Sequence, residues 1–305
     1  MKIETFEVTE EYDDERLDKF LAAIYPTQSR NFFQKLIREE RVNVNDEMQS
    51  KSNYRIKEDD LVVVDVPPAI ETTILPEPLP IDIIYEDDDV IIVNKPKGMV
   101  VHPCPGHYSG TLVNAIMYHC KEHLSGINGE IRPGIVHRID KDTTGSLIIC
   151  KNDFSHNFIA AQIKEHSVNR IYRGIVKGNV KDEEGIIEGA IGRHPTQRKK
   201  MAINERNGKP AITHYKVLKH LKNATYMEFK LETGRTHQIR VHMTSIGHPL
   251  LGDTIYGSEK NPLHLEGQTL HAYSIGFIHP TTRKYVEFEA PLPEYFTQLL
   301  SKLNV

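Results

Sequence analysis

The stretch Gly134-Ile135-Val136-His137-Arg138-Ile139-Asp140-Lys141-Asp142-Thr143-Thr144-Gly145-Ser146-Leu147-Ile148-Ile149 decides how this 305-residue chain is read. It sets a carboxylate, a guanidinium and a turn-forming glycine between two apolar runs. The run over residues 147–150 predicts a buried strand that fixes the turn from behind. Asp140 is then a reactive carboxylate on a rigid frame. In the plainer reading it belongs to a surface turn held by the side chain of Asp142 or Thr143.

A second constellation follows further along: Glu232-Thr233-Gly234-Arg235-Thr236-His237-Gln238-Ile239-Arg240-Val241-His242, then Gly247-His248-Pro249 and Gly252-Asp253-Thr254-Ile255-Tyr256-Gly257. His237, His242 and His248 are potential zinc ligands. A helical zinc pair, however, needs histidines four apart with a glutamate between them, and no cysteine lies nearby to complete a tetrahedral site. Metal binding is not expected; basic groups facing solvent or phosphate are.

With both segments in hand, the chain resembles the RluA family of RNA pseudouridine synthases. The family's His-Arg-Leu-Asp-x-x-Thr-Ser-Gly stands here as His137-Arg138-Ile139-Asp140-Lys141-Asp142-Thr143-Thr144-Gly145. Ile139 for Leu conserves volume and Thr144 for Ser keeps the hydroxyl. The family's Thr-Gly-Arg-x-His-Gln-Ile-Arg-x-His is matched in full from Thr233 to His242. A strand carrying a family tyrosine maps onto Arg170-Ile171-Tyr172-Arg173-Gly174, and shorter echoes are Asn94-Lys95-Pro96-Lys97-Gly98 and Leu270-His271-Ala272-Tyr273. The matches run in the family's order over most of residues 84–296.

The resemblance implies conversion of uridine to pseudouridine in RNA, where the bond from sugar to ring nitrogen is broken and remade to a ring carbon. Atoms are conserved, so no cofactor is implied. The chain carries no Gly-rich dinucleotide loop, phosphate-binding loop or paired-cysteine metal motif. Asp140 is implied to be the catalytic carboxylate, kept ionised in a dry site by Arg240, whose planar fork suits a carboxylate better than Lys would. Tyr172 is implied to stack on the displaced uracil. Arg138 is implied to fill the gap left in the RNA, because enzymes that modify a base flip it out at a cost of a few kcal/mol. His137, Arg235 and His237 are the further RNA contacts expected of the two motifs. Whether Asp140 attacks the sugar, attacks the ring or removes a sugar proton is left open by the residues.

The N-terminal region carries a separate signal. Residues 15–23 have helical apolar spacing, and Gln28-Ser29-Arg30 caps a second helix with Phe33, Leu36 and Ile37 on its apolar face. Short strands are expected over residues 42–45 and 54–64. This unit, residues 1–66, resembles the S-four-type RNA-binding domain often found ahead of this family's catalytic domain, and it would place Arg30, Lys35, Arg38 and Arg41 along an RNA-facing edge. Family members usually carry Gly just before the Val-x-Val-Asn strand, where Glu40-Arg41 stands here. Residues 1–83 hold 10 Lys and Arg against 19 Asp and Glu, a net of −9, while residues 84–305 hold 28 against 23, a net of +5. Charge alone would not mark so acidic a module as nucleic-acid binding, and a protein-interaction or packing domain is the alternative.

Pro67, Pro68, Pro76, Pro78 and Pro80 predict a stiff linker over residues 67–83 with little to bury, ahead of a catalytic domain over residues 84–305. In that domain residues 83–85 and 90–93 read as a hairpin, 111–124 and 155–165 as helices, and 186–191, 211–218, 225–232 and 285–290 as strands. The fold class expected is α+β: a mixed, largely antiparallel sheet flanked by helices, preceded by a small α/β domain. The basic loop over residues 194–201, with Arg198, Lys199 and Lys200, reads equally as a phosphate contact or a solvated loop. Three cysteines without paired spacing, no signal-length apolar segment and no long apolar run lead to the expectation of a cytoplasmic monomer. Its expected partner is RNA, with neither membrane nor metal. Large-subunit ribosomal RNA is the expected substrate, since a separate RNA-binding domain is typical of the family's ribosomal enzymes. Transfer RNA, a non-catalytic RNA-binding ribosome-assembly factor and a metal-dependent hydrolase are the alternatives.

Overall fold

The computed structural model describes residues 2–25, 30–66, 74–104, 107–120, 124, 133–197, 200–257 and 263–304. The chain forms two compact units, residues 1–72 and 73–305.

In the first unit, strands β1 (Lys2–Glu7), β2 (Val42–Val44), β3 (Glu47–Met48) and β4 (Leu61–Val66) make an antiparallel sheet in the order β1-β4-β2-β3. Helices α1 (Leu17–Ile24) and α2 (Arg30–Arg38) close one core with it, in which Leu17, Phe20, Leu21, Phe33, Leu36 and Ile37 are buried as their helical spacing requires. The strand expected over residues 54–64 is corrected: only its end joins β4, and Ile56 instead fills the core from a loop. The cap expected at Gln28 and Ser29 lies outside the described residues.

Helix α2 ends by a specific device. The Arg41 amide donates to Leu36 O and the Glu40 amide to Ile37 O, which satisfies the last-turn carbonyls and requires a left-handed residue between helix and strand. Glu40 supplies it at φ 60, so the turn is kept at the position where the family usually carries Gly, but with a side chain that disfavours it.

The second unit is built on one nine-stranded sheet. Its strands are β5 (Ile83–Glu86), β6 (Val90–Lys95), β7 (Thr144–Cys150), β8 (Asn169–Lys177), β9 (Glu184–Glu188), β12 (Ile212–Leu221), β13 (Ala224–Leu231), β14 (Leu270–Ile278) and β15 (Tyr285–Glu289). A separate hairpin, β10 (Ile191–Arg193) with β11 (Met201–Ile203), stands outside it. The sheet order is β5-β6-β7-β14-β8-β13-β12-β9, with β15 on the far half of β14. Only β7 and β14 run parallel, so the expected mixed, largely antiparallel sheet is present. Helices α3 (Leu112–Cys120) and α5 (Gln238–Ser245) pack on one face. Helix α4 (Asp153–Lys164) and helix α6 (Glu294–Leu303) cover parts of the other. Strand β7 is buried at every position, which is why its sequence is apolar without polar alternation.

The expected linker is corrected as well. Ile74 is 6% exposed within the sheet's core, Asn114 donates its side-chain amide to Leu75 O, and the Glu77 amide donates to Asn114 O. Residues 74–80 are therefore a packed strap of the second unit, since prolines preclude a helix but leave an isoleucine free to bury apolar surface. Residues 67–73 lie outside the described residues. Among the described residues no helix is long and apolar enough to cross a membrane.

The register sets the site. Lys95 pairs with Gly145, Gly145 with Ala272, and Ala272 with Tyr172, one transverse row across β6, β7, β14 and β8. At φ 109, a Cβ on Gly145 would collide with the Ala272 carbonyl and sit 2.8 Å from the Ala272 nitrogen, so this row closes only around glycine.

Replacing the left-handed Glu40 with glycine should remove backbone strain at the end of α2 and raise stability by about 1 kcal/mol, read as a later urea midpoint. A midpoint at or below that of the parent would show that the turn holds no strain.

Candidate active site

Asp140 lies in the turn just before β7, and several bonds hold that turn. The Thr143 amide donates to Asp140 O, and the Gln268 amide nitrogen donates to Thr143 Oγ1. Beneath it lies Lys95, with no exposed surface, whose Nζ donates to Pro96 O, Met99 O and Lys141 O at 2.8, 2.8 and 2.9 Å. Burial pulls its pKa down to about 7, while three carbonyls match the three donors of a charged ammonium. One strand further, Thr144 Oγ1 meets His271 Nδ1 at 2.7 Å, and His271 Nε2 reaches Ala290 O at 3.0 Å. Burial pushes His271 down to about 4, so the ring is neutral: its Nε2 hydrogen goes to Ala290, and Thr144 donates to Nδ1.

The second motif forms the opposite wall. Gln238 opens α5 with its side chain fully used: Oε1 accepts from Thr233 Oγ1 and the Arg235 amide, and Nε2 donates to Ile212 O and Thr213 Oγ1. This anchoring points Arg240 inward. Its Nε and Nη2 donate to the two oxygens of Asp253 at 2.7 and 3.0 Å, and Nη1 donates to Asp140 Oδ2 at 2.9 Å. The Asp253 side chain has no exposed surface, whereas Asp140 keeps 21% of its side chain open to the cleft. The amides of Ile255 and Tyr256 also donate to Asp253 Oδ1. Burial would raise the Asp253 pKa, but the Arg240 hydrogen bonds and charge, with those amides, hold it below the usual carboxylate range. Burial likewise opposes the Arg240 charge, and the bonds to Asp253 and the two carboxylate charges outweigh it, so its pKa is raised.

Arg138, Asp140, Tyr172, Arg235, His237 and Arg240 all line one open cleft, with Leu231 and Leu270 among its apolar residues. Tyr172 is 8% exposed, and burial raises its hydroxyl pKa, with the Arg170 charge opposing and the Asp140 charge adding. Arg138 is exposed at the rim, its Nη1 3.5 Å from His102 Nε2. Arg235 donates its Nε to Pro210 O.

His137 turns one ring nitrogen to the frame. Its Nε2 accepts the Ile148 amide at 3.0 Å, and burial, helped by the Arg170 charge, pushes its pKa to about 3. The ring is a neutral acceptor spent on the frame, because its place in the motif sets it across from the second residue of an apolar run. In the first unit, Arg30 and Arg16 share Asp18 at 2.9 and 3.0 Å, Arg41 pairs with Asp65 at 2.9 Å, and Lys35 lies 3.7 Å from Glu39. Lys35 and Arg38 are exposed on α2. Arg198 and Lys199 of the basic loop lie outside the described residues.

Asp253, Lys95, Gln238 and Tyr256 are site residues that the reading by motif did not assign. Asp253 and Tyr256 stand in the quoted Gly252-Asp253-Thr254-Ile255-Tyr256-Gly257, where the sequence shows an acidic residue among turn formers and no sign of its burial. His237, His242 and His248 go to separate partners, Tyr256, Thr213 and Lys177 O.

Since the Asp253 pKa is lowered by folding, its contribution to stability is present above the ordinary value of 3.8 and is lost as pH falls through its folded value. Asp253→Asn should therefore cost about 3–5 kcal/mol in urea unfolding near neutral pH, by leaving the buried guanidinium undercompensated. The gap to the parent should shrink below pH 3.8. A gap that is small at neutral pH, or constant with pH, would contradict the assigned ion pair.

Comparison with known proteins shows the family. The family model for RNA pseudouridylate synthase matches residues 89–245, and the S4 domain model matches residues 15–62. A Bacillus subtilis (strain 168) protein named as an uncharacterized RNA pseudouridine synthase is 50% identical over 296 residues, covering 97% of this chain and 96% of the relative. A Zymomonas mobilis protein named ribosomal large subunit pseudouridine synthase D is 45% identical over 312 residues, covering 99% and 98%. Among solved structures, human RNA pseudouridylate synthase domain containing 1 aligns with a TM-score of 0.58 at 25% identity, over 78% of this chain and 97% of that one. A carboxylate held by a clamped arginine in a cleft, on this sheet and behind an S4 domain, thus belongs to a chain of the RNA pseudouridine synthase family.

Proposed function

We propose that this enzyme converts uridines of large-subunit ribosomal RNA to pseudouridine, with Asp140 as the essential carboxylate. The observation that carries the reading is the row Asp253, Arg240, Asp140, in which a guanidinium clamped on one edge donates to a second carboxylate where the cleft opens. The isomerisation needs an ionised carboxylate beside a nucleotide taken out of its stack. The cleft supplies that charge over a floor that includes Tyr172, whose flat ring suits a displaced uracil, and the exposed Arg138 at its rim is placed to fill the vacated position in the RNA. Arg235 and His237 line the same wall and take the role of nucleotide contacts.

The ribosomal substrate rests on relatives named ribosomal large subunit pseudouridine synthase D, among them the Zymomonas mobilis protein and a Neisseria meningitidis protein 44% identical over 303 residues, covering 95% of this chain and 79% of the relative. In the first unit the exposed edge of α2 carries Arg30, Lys35 and Arg38, where Arg30 shares Asp18 with Arg16 and Lys35 lies 3.7 Å from Glu39. Exposed cations on one short helix fit a phosphate contact that positions the module without reading bases.

The test is a transcript-wide pseudouridine map of a strain lacking the protein, complemented with the parent or with Asp140→Asn. The expected result is a loss of large-subunit ribosomal sites that only the parent restores. Restoration by Asp140→Asn would overturn the role of Asp140, and lost sites confined to transfer RNA would overturn the substrate.

A further inference from the structure

Asp140 offers the cleft a single free oxygen. Oδ2 accepts from Arg240, while Oδ1 faces His237 Nε2 at 3.9 Å. That separation is too long for a hydrogen bond between the two, and it leaves Nε2 able to reach an atom of a molecule seated on Oδ1. His237 is oriented from behind. Tyr256 Oη lies 2.8 Å from Nδ1 and accepts the Met201 amide at 2.7 Å. With its acceptor side taken by an amide, the hydroxyl directs its proton to Nδ1, so the imidazole carries its own hydrogen on Nε2, toward the cleft.

The backbone supports the same orientation. His237 sits at the N-cap of α5 with φ 58 and ψ 22, a left-handed conformation that is uncommon outside glycine, and its side chain caps nothing in the helix. Tyr256 meets the ring edge-on, with centroids 5.6 Å apart and planes at 83°. Burial lowers the pKa of the imidazole, which keeps it a neutral donor.

We propose that His237 is a catalytic hydrogen-bond donor whose Nε2–H contacts a carbonyl oxygen of the flipped uracil beside Asp140 Oδ1, and that Tyr256 is the positioning residue that fixes its tautomer. The proposal rests on the reading of this cleft as the uridine site. When the bond from ring nitrogen N1 to the sugar breaks, its electron pair stays with uracil, and the charge spreads over N1 and the carbonyl oxygens. The ring turns, C5 attacks the sugar carbon left electron-poor by that cleavage, the C5 proton passes to solvent and N1 takes one from solvent. Hydrogens balance and nothing is oxidised. His237 keeps its own hydrogen throughout and lowers the barrier by holding charge on the carbonyl oxygen.

The test measures single-turnover rate and RNA affinity for the parent, His237→Asn, His237→Ala, His237→Gln and Tyr256→Phe on one substrate RNA. Asn and Ala should lower the rate constant about a hundredfold, the usual scale for losing one such donor. Their RNA affinity should stay within about threefold of the parent, since the contact strengthens as charge develops. Gln places an amide N–H near the position of Nε2 and should recover at least about tenfold of the loss, which a merely structural role would not show. Tyr256→Phe removes the donor that favours the neutral ring, so the acid limb of its pH–rate profile should move to higher pH. The charged groups facing His237, namely Asp140, Arg240, Asp253 and Arg138, are unchanged in that variant.

Parental rates in the Asn variant, a Gln variant no faster than Ala, or a loss wholly in affinity would each overturn the proposal. An inert parent would instead sink the assignment of this cleft to uridine chemistry.

Discussion

One guanidinium shared between two carboxylates is the interaction on which the site depends. Burying Arg240 is costly, and the cost is met on one edge by Asp253, itself held by two backbone amides. The remaining Nη1 is then fixed in direction before any substrate arrives, and Asp140 receives its partner without giving up access to the cleft. A lysine could supply the charge but not both edges, because an ammonium has no planar fork with which to grip one carboxylate and point at another. Catalysis by a pre-set charge needs this rigidity, since an arrangement that had to reorganise during the reaction would lose much of the stabilisation.

The rest of the second unit serves to bring the two halves of this contact together. Asp140 and Arg240 are a hundred residues apart in the chain, and the sheet closes that gap by register: Gly145, Ala272 and Tyr172 stand side by side, so the turn before β7 and the strand carrying Tyr172 cannot slide independently. Lys95 ties that turn to the end of β6 through three carbonyls. Gln238 ties the start of α5 to β12 through its Nε2 and to the turn after β13 through its Oε1. Each tie is a buried polar group with its bonds satisfied, and such networks specify one arrangement where apolar packing would tolerate several.

Much of this was legible in the chain. The apolar run after Gly145, the helical spacing of Phe33, Leu36 and Ile37, and the hairpin ahead of Asn94 all follow from local periodicity, and the motifs placed Asp140, Tyr172 and Arg240 in one site. Other features were not, for physical reasons. The inward turn of His137 depends on where the Ile148 amide lies after folding. The pairing of Arg30 and Arg41 depends on carboxylates 12 and 24 residues away. The burial of Asp253 contradicts what composition suggests for an acidic residue and is explained only by Arg240. Ile74 reads as one apolar residue in a proline-rich stretch, and only the core it enters shows that the stretch is a strap. Sequence periodicity reports which face of an element is apolar; it does not report which polar groups meet across elements.

The central claim is that a planar, clamped guanidinium sustains the reactive carboxylate. Its most direct test is the single-turnover rate of Arg240→Lys on substrate RNA, measured with its RNA affinity. The account predicts a rate reduced about a hundredfold or more with affinity near that of the parent, because the charge survives and the geometry does not. A rate close to that of the parent would contradict it.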